Sequence, residues 1–126
     1  MIKTNELKVY IEDMQSFNKK IDRDLKDIES GRIKTLRENS ISFQSLNQLR
    51  KFLTPKRLEL LRTIKHQRPK SIYELSKFVK RTPENVNTDI KFLKQLGFVE
   101  TTKVKETRHK VVPEVDYSKM TIEITI

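Results

Sequence analysis

The side chains best suited to chemistry lie in VKRTPENVNTDIKFLKQLGF, residues 79–98, where amides and hydroxyls alternate with cations. Val86, Ile90, Leu93 and Leu96 recur at helical spacing and predict one buried face. The opposite face carries groups that can contact nucleic acid: an Asn amide pairs with adenine, a Thr side chain contacts thymine, and a Lys ammonium meets phosphate. We therefore interpret this face as a nucleic-acid contact; the alternative is an idle solvent face.

The candidate contacts are the polar and basic side chains of this stretch: Lys80, Arg81, Thr82, Glu84, Asn85, Asn87, Thr88, Lys91 and Lys94. Those in the first half of the helix are expected to reach base edges. Lys91 and Lys94 lie further along and are expected to meet phosphate. Asp89 lies near the same face but is negative, so we interpret it as structural and paired with an arginine from a neighbouring helix.

Two other basic sets flank this helix. FVETTKVKETRHKVVP, residues 98–113, predicts two short strands joined by a polar tip. This hairpin carries four cations suited to phosphate or the minor groove: Lys103, Lys105, Arg108 and Lys110. Lys70 and Ser71 open the preceding helix, whose first N–H groups can bind a phosphate. The alternative for the hairpin is an ordinary charged surface.

The net charge of +10 is concentrated around these residues. Residues 44–112 hold seventeen Lys/Arg against six Asp/Glu, a net charge of +11, whereas residues 1–43 carry +1 and residues 113–126 carry −2. A localised positive field attracts a polyanion and raises its rate of encounter. A generally basic protein without such a partner is the alternative.

Enzyme classes find little support in this sequence. The two glycines are far apart, so they form no phosphate-binding loop. His66 and His109 are isolated, with no second histidine at metal-ligand spacing, and Asp22, Asp24 and Asp27 lie on the polar side of a predicted helix. We therefore predict no catalytic site, no metal and no cofactor. The absence of cysteine, of an apolar run of membrane length and of an N-terminal apolar stretch predicts a cytoplasmic protein.

The elements that must position these residues are marked by helix caps. Thr54-Pro55 and Thr82-Pro83 each predict a cap followed by proline at the first helical position. Ser71 with Glu74 forms a capping box, Ser45 is a further cap, and Gly97 is a predicted C-terminal cap. The apolar residues predicted to face inward on these helices are Leu46, Leu49, Phe52, Leu58, Leu61, Ile64, Ile72, Leu75, Phe78, Val79, Val86 and Ile90.

Residues 71–97 thus hold two helices separated by about four residues, the spacing of a helix-turn-helix, with Ser76 in the small-residue position where the helices approach. The hairpin that follows makes the predicted unit a winged helix. Residues 42–112 resemble the MarR-like winged helix-turn-helix regulators, in particular the small archaeal and bacterial DNA-binding proteins of that type. The motifs that carry this resemblance are LTPKR, S-x-x-E-L, R-x-x-x-x-V-x-x-D-I and L-x-x-L-G-F-V.

The two ends of the chain predict a separate structure. ELKVYIE alternates like a strand, SISFQS predicts a short strand, and MTIEITI predicts a strand with one buried face, for which ELKVYIE is the natural partner within or between chains. Asp13 is the predicted cap of a helix with an apolar stripe: Met14, Phe17, Ile21, Leu25 and Ile28. A coiled-coil seam through Leu7, Ile11, Met14, Asn18, Ile21, Leu25 and Ile28 is the alternative.

These predictions combine into a mainly α protein of α+β class: a strand–helix extension over residues 1–40, a winged helix-turn-helix over 41–112 and a strand over 113–126. We expect sequence-specific binding to double-stranded DNA by a transcriptional repressor. We also expect a homodimer held by the helical stripe and by Ile122 and Ile124, with a monomer as the alternative. Two other hypotheses are an antitoxin-like protein that neutralises a toxin-like partner and autoregulates, and an architectural DNA coat.

Overall fold

The computed structural model describes residues 5–12, 40–105 and 109–126, apart from the side chains of Lys105 and His109. The chain is of α+β class and divides into two compact units. Unit 1 contains both ends of the chain, Met1–Arg50 and Tyr117–Ile126, and unit 2 is the continuous stretch Lys51–Asp116. Within the described ranges, no helix is long and apolar enough to cross a membrane.

Four helices are described: α1, Leu46–Phe52, which crosses the boundary between the units, and α2, Pro55–Gln67, α3, Ile72–Val79, and α4, Pro83–Leu96, in unit 2. The predicted caps of these helices are confirmed, whereas the predicted cap Asp13 lies outside the described residues. The side chains of Ser45, Thr54, Ser71 and Thr82 each accept a hydrogen bond from the backbone N–H three residues later, at 3.0–3.3 Å. Gly97 ends α4 with φ 94°, a left-handed conformation that glycine adopts without a Cβ clash.

The core of unit 2 forms where α2, α3 and α4 meet. Its buried apolar members are Leu60, Leu61, Ile64, Leu75, Val86, Ile90, Leu93, Phe98 and Val99. Ser76 is also buried, which confirms it as the small residue of α3. Burial of Val86 and Ile90 confirms the predicted inner face of α4, and each such side chain stabilises the unit by about 1.5–3 kcal/mol.

The hairpin predicted after α4 is confirmed. Strands β3, Glu100–Lys105, and β4, His109–Glu114, pair antiparallel, with Thr102 opposite Val112. Residues 106–108, which include the predicted contact Arg108, lie outside the described residues.

Unit 1 contains a parallel three-stranded sheet of order β2-β1-β5. The strands are β1, Glu6–Ile11, β2, Ser40–Phe43, and β5, Lys119–Ile124. Val9 of β1 lies opposite Ile41 of β2 and Ile122 of β5. The pairing of ELKVYIE with MTIEITI is thus confirmed within one chain, and β1 is a strand rather than the start of a coiled coil. The predicted helical stripe, Met14, Phe17, Ile21, Leu25 and Ile28, lies outside the described residues.

Three predictions of burial are wrong. Leu46 is 46% exposed because α1 has only two turns and burial centres on its middle residue, Leu49. Phe78 is 41% exposed because Leu75 and Ser76 define the inner face of α3 and Phe78 lies roughly 110° around the helix from the middle of that face.

The third concerns MTIEITI, which has no fully buried face. Ile122 and Ile124 are exposed, and Met120 is only half-buried. The reason is the order of strands: the central strand β1 buries Leu7 and Val9, whereas β5 has a neighbour on one side only within the described sheet.

Candidate nucleic-acid interface

Helix α4 presents a mainly polar face to solvent, which also contains Phe92, 39% exposed. It begins at Pro83 after the Thr82 cap and ends at Gly97, and its buried residues all lie on one side. The exposed face carries most of the predicted contacts: Glu84, Asn85, Thr88, Lys91 and Lys94. Asn87 is half-buried at the margin of this face. The spacing of 100° per residue puts Asn85 and Asn87 on opposite flanks of the helix, so the two amides face different surroundings.

An ion-pair cluster fixes α4 against the start of α2. Asp89 accepts a hydrogen bond from Arg57 Nε at 3.2 Å and from Arg81 Nη2 at 2.7 Å. The side chains of Arg57, Arg81 and Asp89 are only 15–21% exposed. Arg57 also donates to the Phe52 carbonyl at 2.8 Å and lies 4.7 Å from the centre of the Phe92 ring. The predicted structural role of Asp89, paired with an arginine of a neighbouring helix, is confirmed.

This cluster also shows where Arg81 points. Its Nη2 is held by Asp89, and its Nη1 is buried without a hydrogen-bond partner among the described residues. Lys80, one residue earlier, is exposed and has a left-handed backbone, φ 56° and ψ 46°. Lys80 thus supplies the left-handed cap that glycine often supplies at the end of a helix. The structure gives Arg81 a partner inside unit 2 and leaves Lys80 at the surface.

A groove of about 700 Å³ lies between the start of α3, the start of α4 and strand β4. It brings together four of the predicted contacts: Ser71, Glu84, Asn87 and Lys110. Asn85 does not line it. The groove is therefore formed by side chains that are up to 40 residues apart in sequence, from Ser71 to Val111, and that only the packing of unit 2 brings together.

Two lining residues of this groove were not predicted from sequence. Tyr73 is 60% exposed, and Lys77 Nζ lies 4.6 Å from the centre of its ring. An exposed tyrosine beside an ammonium offers an apolar face, a hydroxyl donor and a positive charge. The sequence did hold a signal that Tyr73 and Lys77 lie side by side. They are four residues apart on a helix that the capping box already predicted, and residues i and i+4 share a helix face.

The hydroxyl candidates also have roles inside unit 2. Ser71 Oγ accepts from the Glu74 N–H at 3.0 Å, and Thr82 Oγ1 accepts from the Asn85 N–H at 3.2 Å. Thr88 Oγ1 donates to the Glu84 carbonyl at 3.0 Å. The Lys70 N–H donates to Glu74 Oε1 at 3.3 Å, while the Lys70 side chain is exposed. These contacts hold the helix starts in place and leave the ammonium of Lys70 in solvent.

The cations of the hairpin do not share one face. Lys103 lies opposite Val111 and Lys110 lies opposite Val104, so the alternation of side chains puts the two lysines on opposite faces of the β3–β4 ladder. Lys110 lines the groove described above, and Lys103 is exposed on the other face. The side chain of Lys105 is not described.

The fold and this polar surface define a small α+β protein whose unit 2 carries an exposed helix face beside a groove with two lysines, Lys77 and Lys110, and two glutamates, Glu74 and Glu84. A model of the HVO_A0114 family matches residues 52–122, more than half of the chain, and the chain belongs to this family. The match covers nearly all of unit 2 and extends into β5. No curated protein matches the chain.

Proposed function

We propose that this protein binds double-stranded DNA in a sequence-specific manner and regulates transcription in the cytoplasm, as a repressor that occupies a promoter. The observation that carries the proposal is the exposed face of α4, with its amides, hydroxyls and lysines beside a groove lined by Lys77 and Lys110. Amides and hydroxyls read base edges, whereas lysines bind phosphate and supply most of the affinity.

The arrangement of unit 2 supports a winged helix-turn-helix. Helices α3 and α4 are joined by the short turn Lys80–Thr82, and the β3–β4 hairpin follows α4 after three residues. In such a unit the second helix enters the major groove with its N-terminal residues toward base edges. Pro83 and Glu84 would then lead α4 into the major groove of the DNA, and the β3–β4 hairpin would lie along the neighbouring DNA backbone.

Individual side chains take distinct roles in this proposal. Asn87 lies at the boundary between the exposed face of α4 and the groove, where its amide can pair with adenine. Lys77 and Lys110 lie on the walls of the groove and would meet a phosphate that passes along it. The Tyr73 hydroxyl can donate to the same phosphate, and its exposed ring can pack on the adjoining sugar.

Two copies are expected to act together. One recognition helix reads only a few base pairs, which discriminates poorly within a genome. A two-fold pair doubles the site and places half-sites about one helical turn apart. The protein would then recognise a palindromic operator.

Titration of a labelled duplex at several salt concentrations tests the polyanion contact. The logarithm of the binding constant should fall linearly with the logarithm of salt concentration, by about 0.9 per phosphate contact. Lys77→Ala should reduce that slope by about 0.9 and should weaken binding to all DNA sequences by the same factor. Lys56→Ala, at an exposed lysine in the first turn of α2 outside the groove, is the matched control and should leave the slope unchanged. A binding constant that does not vary with salt refutes the proposal.

Selection of bound sequences from a random pool tests the base contact. Asn87→Ala should reduce the preference for one base at one position per half-site by about 1–3 kcal/mol. The dependence of its binding constant on salt concentration should stay unchanged. Gln95→Ala, which removes an exposed amide from the last turn of α4, is the control and should keep the preference. Equal affinity for all sequences refutes sequence-specific recognition and supports the architectural coat instead, since specific binding exceeds non-specific binding by ~10³ or more.

A further inference from the structure

Among the described residues, strand β5 is paired along one edge only, and its side chains alternate in an ordered pattern. In the described part of unit 1 its only neighbour is β1. The register places Ile122 and Ile124 on the same face as the buried Val9 and Ile11, yet they are 46% and 54% exposed. Open edges are normally blunted or covered, because unpaired N–H and C=O groups invite another strand.

The backbone groups that point out of this edge can be identified. The Thr125 N–H donates to the Ile11 carbonyl at 3.0 Å, so the backbone of Thr125 faces β1. Successive residues of a strand direct their N–H and C=O groups to alternate sides. Thr121 and Glu123 therefore also face β1, whereas Met120 and Ile122 direct their N–H and C=O groups away from the sheet.

Symmetry limits how a second copy can use this edge. Two identical edges related by a two-fold axis make a self-complementary contact. An axis perpendicular to the sheet runs the two β5 strands antiparallel and keeps both apolar faces on the same side. Parallel pairing of the two edges would require a translation rather than a closed two-fold.

The charges of β5 select the position of the axis. With the axis at Thr121, Lys119 lies opposite Glu123 of the partner subunit and Met120 lies opposite the partner's Ile122. An axis at Lys119 or Glu123 would place like charges opposite each other. An axis at Met120 or Ile122 would place neither Lys119 nor Glu123 opposite a residue of opposite charge on the partner subunit. Opposite charges across a ladder stabilise it, and like charges destabilise it.

We propose that the protein forms its homodimer by antiparallel pairing of β5 with β5 about an axis at Thr121, so that one sheet runs through both copies. Met120 and Ile122 exchange backbone hydrogen bonds with the partner, and the exposed part of Ile122 is covered. Lys119, which is 59% exposed and lies 3.8 Å from Glu6, also meets the partner's Glu123. This interface specifies the dimer of the proposed function but forms without DNA.

Single-cysteine cross-linking tests the axis, since the chain has no cysteine of its own. Residues on the axis form a non-hydrogen-bonded pair with Cβ atoms about 4.5–5.5 Å apart, next to the range that a disulfide spans. Under diamide, Thr121→Cys should yield a covalent dimer in high yield. Thr125→Cys is the matched control: it lies four residues from the axis, about 27 Å from its copy, and should stay monomeric on a denaturing gel.

Charge exchange tests the pairing by a second route. In Glu123→Lys two attractive pairs become repulsive, and the dimer dissociation constant should rise roughly tenfold or more. Lys119→Glu should behave in the same way. An equimolar mixture of the two variants restores both attractive pairs between unlike chains, so sedimentation should show a heterodimer. Misfolding of either variant cannot produce that recovery, which makes the mixture the decisive sample.

The outcomes separate this interface from DNA binding. A dimer that binds DNA but gives no Thr121→Cys cross-link, or cross-links equally at position 125, overturns the β5 pairing and leaves the proposed function standing. A mixture that stays monomeric also overturns the pairing. Efficient cross-linking at 121 with recovery in the mixture supports the pairing, even if DNA titration shows no binding and the proposed function fails.

Discussion

Replacement of Asp89 by alanine gives the sharpest test of how α4 is positioned. The carboxylate accepts two charge-assisted hydrogen bonds, from Arg57 and Arg81, and is 15% exposed. Removal of one partner from a buried ion pair costs about 3–5 kcal/mol, whereas exposed pairs contribute about 0.2–1 kcal/mol. The small remaining exposure lets water reach both guanidiniums. We therefore expect Asp89→Ala to lower the free energy of unfolding of unit 2 by about 2–3 kcal/mol, between those limits.

The same removal leaves two guanidiniums facing each other. Arg81 Nη1 is already buried without a partner among the described residues, so the loss of Asp89 removes the carboxylate that the described structure pairs with Arg81. Asp89→Asn keeps one acceptor of similar shape and should lose about half as much. The double variant with Arg57→Ala should lose less than the sum of the two single variants, because the two residues interact directly.

Urea unfolding followed by the methyl resonances of Ile90 and Leu93 measures this change, because both residues lie in the core of unit 2. Glu84→Ala, at an exposed acidic residue in the first turn of the same helix, is the matched control and should change stability by less than about 0.5 kcal/mol. If Asp89→Ala costs no more than Glu84→Ala, the cluster does not hold α4 and the reasoning is refuted.

Three further outcomes are expected. Thr82→Ala removes the cap of α4 and should cost about 1 kcal/mol by urea unfolding, with Thr82→Ser recovering most of it. Leu75→Ala leaves a cavity in a site that is 0% exposed and should cost about 2–5 kcal/mol; an unchanged midpoint would contradict the packing of α3. The hydrogen bond from Thr121 is the largest cause that lowers the pKa of the Glu6 carboxyl below 4.5, so Thr121→Val should raise that pKa in an NMR titration.

The lowered pKa of Glu6 also determines how the stability of the β1–β5 pair changes with pH. Because the folded pKa lies below the unfolded value of 4.5, ionised Glu6 stabilises the β1–β5 pair at pH values above 4.5. That contribution is lost as the pH falls through the lowered folded pKa. In Thr121→Val the loss should begin at higher pH.

Local signals predicted the helix boundaries well. Thr54-Pro55, Ser71 with Glu74, and Thr82-Pro83 each place a helix start correctly, and Gly97 places an end. The caps are reliable because each is completed by a backbone group three residues away, so no distant part of the chain is needed. The alternation of apolar and polar residues in ELKVYIE and MTIEITI also identified two strands from local sequence. Successive side chains of a strand point to opposite faces, so this pattern needs no distant part of the chain.

The candidate site was predicted only in part. Residue types on α4 indicated which face is exposed to solvent, because helical periodicity assigns faces without a structure. The same reasoning missed Tyr73 and Lys77, since nothing in the α3 sequence says that its start lies beside Asn87 and Lys110. Phe78 was wrongly assigned to the core because an apolar side chain at helical spacing does not reveal which helix face packs.

The sequence alone determined the helix caps, the strand segments, the polar face of α4 and the location of the positive charge, since each depends on residues close together in the chain. The tertiary structure decided that the two chain ends pair within one chain, that two arginines share Asp89, and that Ile122 is exposed on a strand at the edge of the described sheet. These features join residues as far apart as Leu7 and Met120. Such contacts form only when the gain from packing exceeds the entropy lost in closing the intervening loop, and that balance is a property of the whole fold.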